Sequence, residues 1–181
     1  LALSDLQTFD AVMWLAGNHS GSLDAADRTA LDGYLQAGGK LFLSGRDLAW
    51  ENCNPASPYY SVAGHTWFNQ VLGVNYAGTL APTFDKVEGF ASEPIGNGLS
   101  FDIFGGDGAD NAQFDFDSLT ATAAGQVSLF YVDANPGGIA GIRHNYGPGQ
   151  AYTLGFGFEA IATQADRDLL MGRIISWFDG Q

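Results

Sequence analysis

The sequence feature that most constrains the fold is a pair of apolar runs near the start of the chain, with a helical pattern between them. Residues 10–16 form a continuous apolar run of the kind expected for a buried parallel strand, and residues 40–44 form a second one. Asp24 and Asp27 predict an N-cap and capping box for the helix between them. Strand, helix and strand in this order form a right-handed crossover unit, which predicts a parallel sheet.

The last third of the chain has a second regular pattern. Two further strands, residues 138–144 and 150–155, are separated by a short glycine-rich turn, which predicts an antiparallel hairpin. Thr163 and Asp166 predict the cap of a final helix. The apolar positions of that helix predict a buried face made of Leu169, Leu170, Ile174, Ile175 and Phe178.

The length of 181 residues predicts a single domain, 1–181. Between the two regular parts, residues 78–125 are rich in Gly, Asp, Asn and Pro and show weak periodicity, so they are interpreted as an irregular insertion. Long irregular insertions often carry function.

The charge balance excludes one class of partner. Twenty acidic residues stand against seven basic ones, which gives a formal net charge of −13. Such a surface repels phosphate backbones, so we expect no binding to nucleic acid. No apolar run approaches the roughly 20 residues of a membrane helix, so we expect no membrane span.

The cysteine and lysine usage bears on the compartment. Cys53 is the only cysteine, so no internal disulfide is expected, and no basic neighbours in the sequence favour its thiolate. The chain has 25 glycines and few lysines. This composition is typical of secreted bacterial proteins, and we expect an extracellular, bacterial location.

Three segments together carry a family resemblance: residues 9–17, residues 40–47, and Tyr152-Thr153-Leu154-Gly155-Phe156-Gly157-Phe158-Glu159. They resemble the class I glutamine amidotransferase-like superfamily, and more narrowly the amidotransferase-like domains attached to secreted bacterial peptidases. The resemblance implies an α/β fold: a flavodoxin-like three-layer sandwich with a mostly parallel sheet, here with a C-terminal antiparallel hairpin.

Enzymes of this superfamily use a cysteine at the strand-to-helix elbow and a His-x-Glu pair after a late strand. By resemblance, Ser44 occupies the cysteine position, Gly157 replaces the histidine, and Glu159 remains. A serine hydroxyl without a base is not activated, so we expect no amidotransferase chemistry and interpret the chain as a pseudoenzyme.

Members of the superfamily carry a βα unit and a further strand before the position of Phe9. This chain is expected to lack that unit, and to be a fragment or to be completed by another segment. The absence predicts an exposed sheet edge, which is a site for self-association.

His19 is a candidate replacement for the missing base. It follows the first strand, so topology places it at the same sheet edge as Ser44. Ser44, His19 and either Asp47 or Glu159 would then form a serine hydrolase site. The alternative is that His19 is a solvated loop residue, that Ser44 bonds to the backbone, and that Glu159 ties loops together through Arg46.

An acidic stretch in the insertion is a candidate calcium loop. Hard cations bind oxygen ligands, and alternating Asp and Asn in a glycine-rich loop provide them. The candidate ligands are Asp107, Asp110, Asn111, Asp115 and Asp117. The spacing of an EF-hand is absent, so a solvated acidic loop is the alternative. We expect no other cofactor.

Four aromatic residues near the irregular part could stack on sugars: Trp50, Tyr59, Tyr60 and Trp67. If these side chains are exposed in one row, they indicate a carbohydrate-binding module. If they are packed inside the protein, they form a small apolar core beside the main one.

The sequence therefore predicts a non-catalytic accessory or interaction domain of a secreted bacterial protein. Its expected partners are other domains of its parent protein, another copy of itself, or a polysaccharide or protein surface. A serine hydrolase using Ser44 with His19 and a carbohydrate-binding module are the alternatives.

Overall fold

The computed structural model of the chain describes residues 1–109, 115–122, 124–132 and 138–181. Within these ranges the α-helices are α1 (Leu3–Leu6), α2 (Ala25–Gln36), α3 (Leu48–Cys53), α4 (Val62–Trp67) and α5 (Gln164–Phe178). A π-helical turn over Phe68–Leu72 follows α4, and a 3-10 turn covers Phe158–Ala160. The strands of the same ranges are β1 (Val12–Leu15), β2 (Lys40–Ser44), β3 (Val74–Leu80), β4 (Lys86–Gly89), β5 (Ser100–Asp102), β6 (Phe116–Ala121), β7 (Gln126–Tyr131), β8 (Ile139–Tyr146) and β9 (Gly149–Leu154).

The nine strands in the described part of the chain belong to one mixed sheet. Its main path has the order β1-β2-β9-β8-β7-β4-β5, and β6 joins it by pairing with β8 and with β3. β1 is parallel to β2, and β2 is parallel to β9. The other six pairings are antiparallel.

The prediction of a mostly parallel, flavodoxin-like sandwich is therefore wrong. Parallel neighbours need long crossover connections, usually helices, whereas antiparallel neighbours can be joined by short turns. In this chain β3 to β8 lie between β2 and β9 in sequence, and all of their pairings are antiparallel. The result is a mixed, strand-rich sheet with few helices.

The first strand–helix–strand unit is confirmed. β1 and β2 run parallel with Val12 opposite Leu41. At the start of α2, the Asp24 carboxylate accepts a 2.9 Å hydrogen bond from the Asp27 N–H, and the Asp27 carboxylate accepts one of 3.3 Å from the Asp24 N–H. The predicted capping box is therefore present, and it fixes where α2 begins.

Two apolar cores lie on opposite faces of the sheet. Side chains alternate between the faces of a strand, so Leu41 and Leu43 of β2 pack with α2, α3 and α4, while Phe42 lies in the other core with α5. The two faces are thus both covered near β2, as its continuous apolar run indicates.

The stretch 78–125 contributes to the sheet rather than standing outside it. Its described residues include the end of β3 and the whole of β4, β5 and β6. Val87, Phe101 and Phe116 are buried in the core that contains α5. The stretch interpreted as an irregular insertion therefore supplies much of one core.

The C-terminal hairpin follows the prediction, and the buried face of the final helix differs from it at two predicted positions. β8 and β9 pair antiparallel across a short turn, which confirms the hairpin. Thr163 Oγ1 accepts a 3.1 Å hydrogen bond from the Asp166 N–H and caps α5. Leu169, predicted to be buried, is 47% exposed, whereas Trp177 is buried. Ile175, also predicted to be buried, is only partly buried. The other buried side chains of α5 are Leu170, Ile174 and Phe178.

Candidate functional site

The Ser44 hydroxyl is buried at the end of β2 and both of its hydrogen-bonding roles are taken by backbone groups. Ser44 Oγ donates to the Phe156 carbonyl at 3.0 Å and accepts from the Phe158 N–H at 2.6 Å. The residue has no exposed surface. The alternative in which Ser44 bonds to the backbone is the one that the geometry shows.

His19 is exposed on the loop that follows β1. Its backbone N–H donates to the Ala16 carbonyl at 3.1 Å, so the loop turns tightly after β1. Among the described hydrogen bonds, none joins His19 to Ser44. Its charge acts on Glu51, where it opposes the rise in pKa that burial causes. The structure therefore does not bring the proposed base to the proposed nucleophile.

Asp47 has a strained backbone at the start of α3. Its φ of 62° lies in the left-handed region, which few residues other than glycine adopt. Asp47 Oδ2 lies 3.2 Å from Arg46 Nε. Burial raises the pKa of the Asp47 carboxyl, the Arg46 charge opposes this rise, and the charge of Asp115 adds to it. Strain and a perturbed pKa at one residue make this elbow the natural candidate site.

Glu159 is half-buried in the 3-10 turn after β9. Its Oε1 lies 3.5 Å from the position that a Cβ on Gly17 would occupy, and its carbonyl accepts a 2.8 Å hydrogen bond from the Ala109 N–H. Gly17 has a φ of 60° and its carbonyl accepts from the Arg46 N–H at 2.9 Å. Glu159 therefore lies beside the loop that follows β1, consistent with a residue that holds loops together.

Asp117 is fully buried beneath α3, although the sequence indicated a calcium ligand at this position. Its Oδ2 accepts hydrogen bonds from the N–H groups of Ala49 at 2.8 Å and Trp50 at 3.1 Å. Among the described residues, Asp117 Oδ1 has no hydrogen-bond partner. Burial raises the pKa of the Asp117 carboxyl to about 8. The hydrogen bonds from the two amides oppose this rise, and the nearby charges of Asp47 and Glu51 add to it. Burial therefore favours the protonated carboxyl, and its two hydrogen bonds anchor α3 to β6.

Glu51 is a buried carboxylate that the sequence reasoning missed. Both of its oxygens accept from the Gly21 N–H at 3.0 Å. Burial raises the pKa of Glu51, and the hydrogen bonds from Gly21 and Ser20 oppose this. The feature of the sequence that could have indicated Glu51 is the glycine-rich loop after β1, because the backbone N–H groups of such a loop need hydrogen-bond acceptors.

An open pocket of about 290 Å³ lies at this elbow and is lined by Arg46, Asp47, Trp50, Thr79 and Asp115. Arg46 also donates to the Asp115 carbonyl at 3.1 Å and to Asn18 Oδ1 at 2.7 Å. The pocket is polar and shallow. Its lining contains neither Ser44 nor a histidine, so it does not hold the serine–histidine pair that the hydrolase hypothesis requires.

The candidate calcium ligands are only partly within the described residues. Asp110 and Asn111 lie outside them. Asp107 pairs with Arg167 at 3.1 Å and Asp117 is buried under α3, while Asp115 is exposed. In the described ranges, no group of three or more His, Cys, Asp or Glu residues is arranged to hold a metal ion.

The four aromatic residues do not share one surface. Trp67 is buried in the core with α2. Trp50 lines the elbow pocket, whereas Tyr59 lines a different pocket beside Gly21. Tyr60 faces His65, with ring centroids 6.1 Å apart. The described geometry therefore separates the residues on which a sugar platform would depend.

None of the helices in the described ranges combines the length and the apolar character needed to cross a membrane.

Comparison with known proteins gives matches only among solved structures. No family model matches the sequence, and no curated protein matches it. The chain is similar to the mmIFT52 N-terminal domain, at 14% identity and a TM-score of 0.64 over 100% of this chain and 82% of that chain. It is similar to a cytoplasmic protein from Salmonella typhimurium, at 13% identity and a TM-score of 0.64 over 97% and 74% of the two chains.

The chain is also similar to a β-galactosidase from Rahnella sp. R3, at 19% identity and a TM-score of 0.59 over 97% of this chain and 23% of that chain. It thus spans about a quarter of the length of the β-galactosidases that it matches. At these identities the likeness shows the fold alone. None of the comparisons tests secretion or the resemblance to glutamine amidotransferases, and both stay predictions from the sequence.

Proposed function

We propose that this chain is a non-catalytic interaction domain that serves a larger protein. The observation that carries the proposal is the state of Ser44, the residue with the strongest sequence claim to be a nucleophile. Its hydroxyl is buried and is held by the Phe156 carbonyl and the Phe158 N–H. A nucleophile must reach its substrate and have a base to take its proton, and Ser44 meets neither condition.

The partial alignment with larger proteins supports the proposal that this domain serves a larger protein. Nearly the whole chain aligns with less than a quarter of the Rahnella β-galactosidase. A fold that occurs as one part of a longer chain is suited to support or binding within it. Nothing in the alignment transfers the sugar chemistry of that enzyme to this chain.

A covalent probe tests the absence of serine chemistry. The protein is incubated with a fluorophosphonate, which labels serine hydroxyls that a neighbouring base has activated, and the adducts are located by mass spectrometry. We expect no adduct on Ser44, while a known serine hydrolase in a parallel sample is labelled fully. An adduct on Ser44 that disappears in the His19→Ala variant would overturn the proposal.

A further inference from the structure

β1 is an open edge of the sheet. It ends the main path of strands and pairs only with β2 within the described residues. The Ala16 N–H donates to the Ser44 carbonyl at 2.8 Å, so Ala16 points its amide toward β2. Because backbone groups alternate along a strand, the N–H and C=O groups of Met13 and Leu15 point away from the sheet. Among the described residues, no hydrogen bond outside the regular strand pairing uses these groups.

The same two residues also expose apolar side chains. Met13 is 45% exposed and Leu15 is 52% exposed. Met13 is in register with Phe42 and Leu15 with Ser44, so both side chains lie on the sheet face that α5 covers further along. β1 itself carries no charge and no proline. Natural sheets protect their edges with charges, prolines or bulges, and β1 has none of these.

The other edges of the sheet are protected. At the opposite end of the main path, β5 carries the charge of Asp102, and the Asp102 carbonyl accepts from the Ala162 N–H at 2.8 Å. Within the described residues β3 pairs with β6 alone, and it is broken by a shift in register between Tyr76 and Gly78. Among the described edges, the open and apolar one is therefore that of β1.

The charge of the molecule determines which occupant fits this edge. All seven basic side chains already hold partners in the described structure, either in an ion pair with a carboxylate or in a hydrogen bond to a backbone carbonyl. The surplus of acidic groups gives the net charge of −13. Asp5 and Asp10 are exposed just before β1. Exposed acidic groups therefore lie at the start of the edge.

We infer that β1 binds an extended, basic segment of a partner protein, which adds to the sheet as a further strand. This inference rests on the proposed role as an interaction domain and names the surface and the chemistry of the partner. The partner's backbone bonds to the N–H and C=O groups of Met13 and Leu15. Its alternate apolar side chains cover these two residues, and its Lys or Arg residues lie near Asp5 and Asp10. A second copy of this chain fits less well, because both copies carry the same large negative charge.

Binding of designed peptides to the purified protein tests the inference. The probe is a fluorescent peptide with alternating Val and Thr in its centre and an arginine pair at each end. One matched peptide has glutamates in place of the arginines, and another is methylated on the central amides that would face β1. We expect the basic peptide to bind, and each matched peptide to bind at least about tenfold more weakly, which corresponds to 1.4 kcal/mol.

Variants of the protein locate the site. We expect Leu15→Lys, a charged edge residue, to weaken binding of the basic peptide at least about tenfold. Val62→Lys is the matched control, because Val62 is a 72% exposed apolar residue on α4, and binding should be unchanged. Thermal unfolding shows that each variant folds, and Met13→Lys replaces Leu15→Lys if that variant does not.

Three results would overturn the inference. The first is equal binding of the methylated and unmethylated peptides, which would show attraction by charge without strand addition. The second is no binding of the basic peptide. The third is dimerisation of the free protein that Leu15→Lys abolishes, which would make a second copy the occupant. Each of these leaves the fluorophosphonate result unaffected, so failure of the edge site and failure of the non-catalytic proposal are distinguishable.

Discussion

Ser44 Oγ accepts a 2.6 Å hydrogen bond from the Phe158 N–H, which ties the end of β2 to the turn after β9. Replacing Ser44 by alanine leaves this N–H and the buried Phe156 carbonyl without their partner. We expect the free energy of unfolding to fall by about 1–3 kcal/mol, which is the penalty for buried polar groups left unsatisfied. Chemical denaturation of the Ser44→Ala variant measures this loss.

The control for this variant is Ser176→Ala, which removes an exposed hydroxyl from α5. Its stability should match that of the parent protein or exceed it slightly, because alanine favours helices. Equal stabilities of Ser44→Ala and the parent would contradict a structural role for the hydroxyl.

Local signals in the sequence predicted local structure correctly. Asp24 with Asp27, and Thr163 with Asp166, gave the starts of α2 and α5, because capping depends on residues three positions apart. The adjacent pair Leu169-Leu170 marks the limit of such patterns. The pattern alone does not decide which leucine faces the sheet, and the packing of α5 leaves Leu169 exposed.

Non-local pairing accounts for most of what the sequence did not show. β4 and β5 are short strands in a glycine-rich stretch, and β4 pairs with β7, which lies about 40 residues later in the chain. Asp117 looked like a calcium ligand because its neighbours are acidic. Its burial depends on the docking of α3 against β6, a contact between distant segments that no spacing of residues reveals.

Glu93 and Arg143 provide a test of buried ion pairing. Glu93 Oε1 lies 2.5 Å from Arg143 Nε, and Glu93 Oε2 accepts from the N–H groups of Ile95 and Gly96. Replacing Glu93 by alanine leaves a largely buried guanidinium and two amides without their acceptor. We expect a loss of about 2–4 kcal/mol in the free energy of unfolding.

The matched control is Glu88→Ala on β4. Glu88 pairs with Lys86 at 3.9 Å, and both side chains are exposed to solvent. An exposed pair contributes about 0–1 kcal/mol, so this variant should unfold close to the parent. Losses of similar size in the two variants would contradict the buried role of Glu93.

Cys53 should be unreactive in the folded protein. The residue is buried, and burial raises the pKa of its thiol to about 12, so the thiolate that attacks disulfide reagents is scarce at pH 8. We expect labelling by an aromatic disulfide reagent to be slow in the native state and rapid in concentrated guanidinium. Fast labelling under native conditions would show that α3 opens readily.

The pH dependence of stability should carry the signature of Asp117. Its pKa rises from 3.8 to about 8 on folding, so between these values the folded protein keeps a proton that the unfolded chain has lost. The proton kept by Asp117 therefore makes its full contribution to the free energy of unfolding below pH 3.8, and this contribution is lost as the pH rises toward 8. Asp117→Asn mimics the protonated carboxyl, since its amide oxygen still accepts from Ala49 and Trp50. We expect the variant to match the parent near pH 4 and to be more stable by several kcal/mol at pH 8 in denaturant titrations.

The control is Asp115→Asn, which changes an exposed neighbour of Asp117. Its stability should follow that of the parent at every pH, because the Asp117 carboxyl remains. If the parent and Asp117→Asn lose stability in parallel as the pH rises, the effect belongs to Asp47 or Glu51 instead.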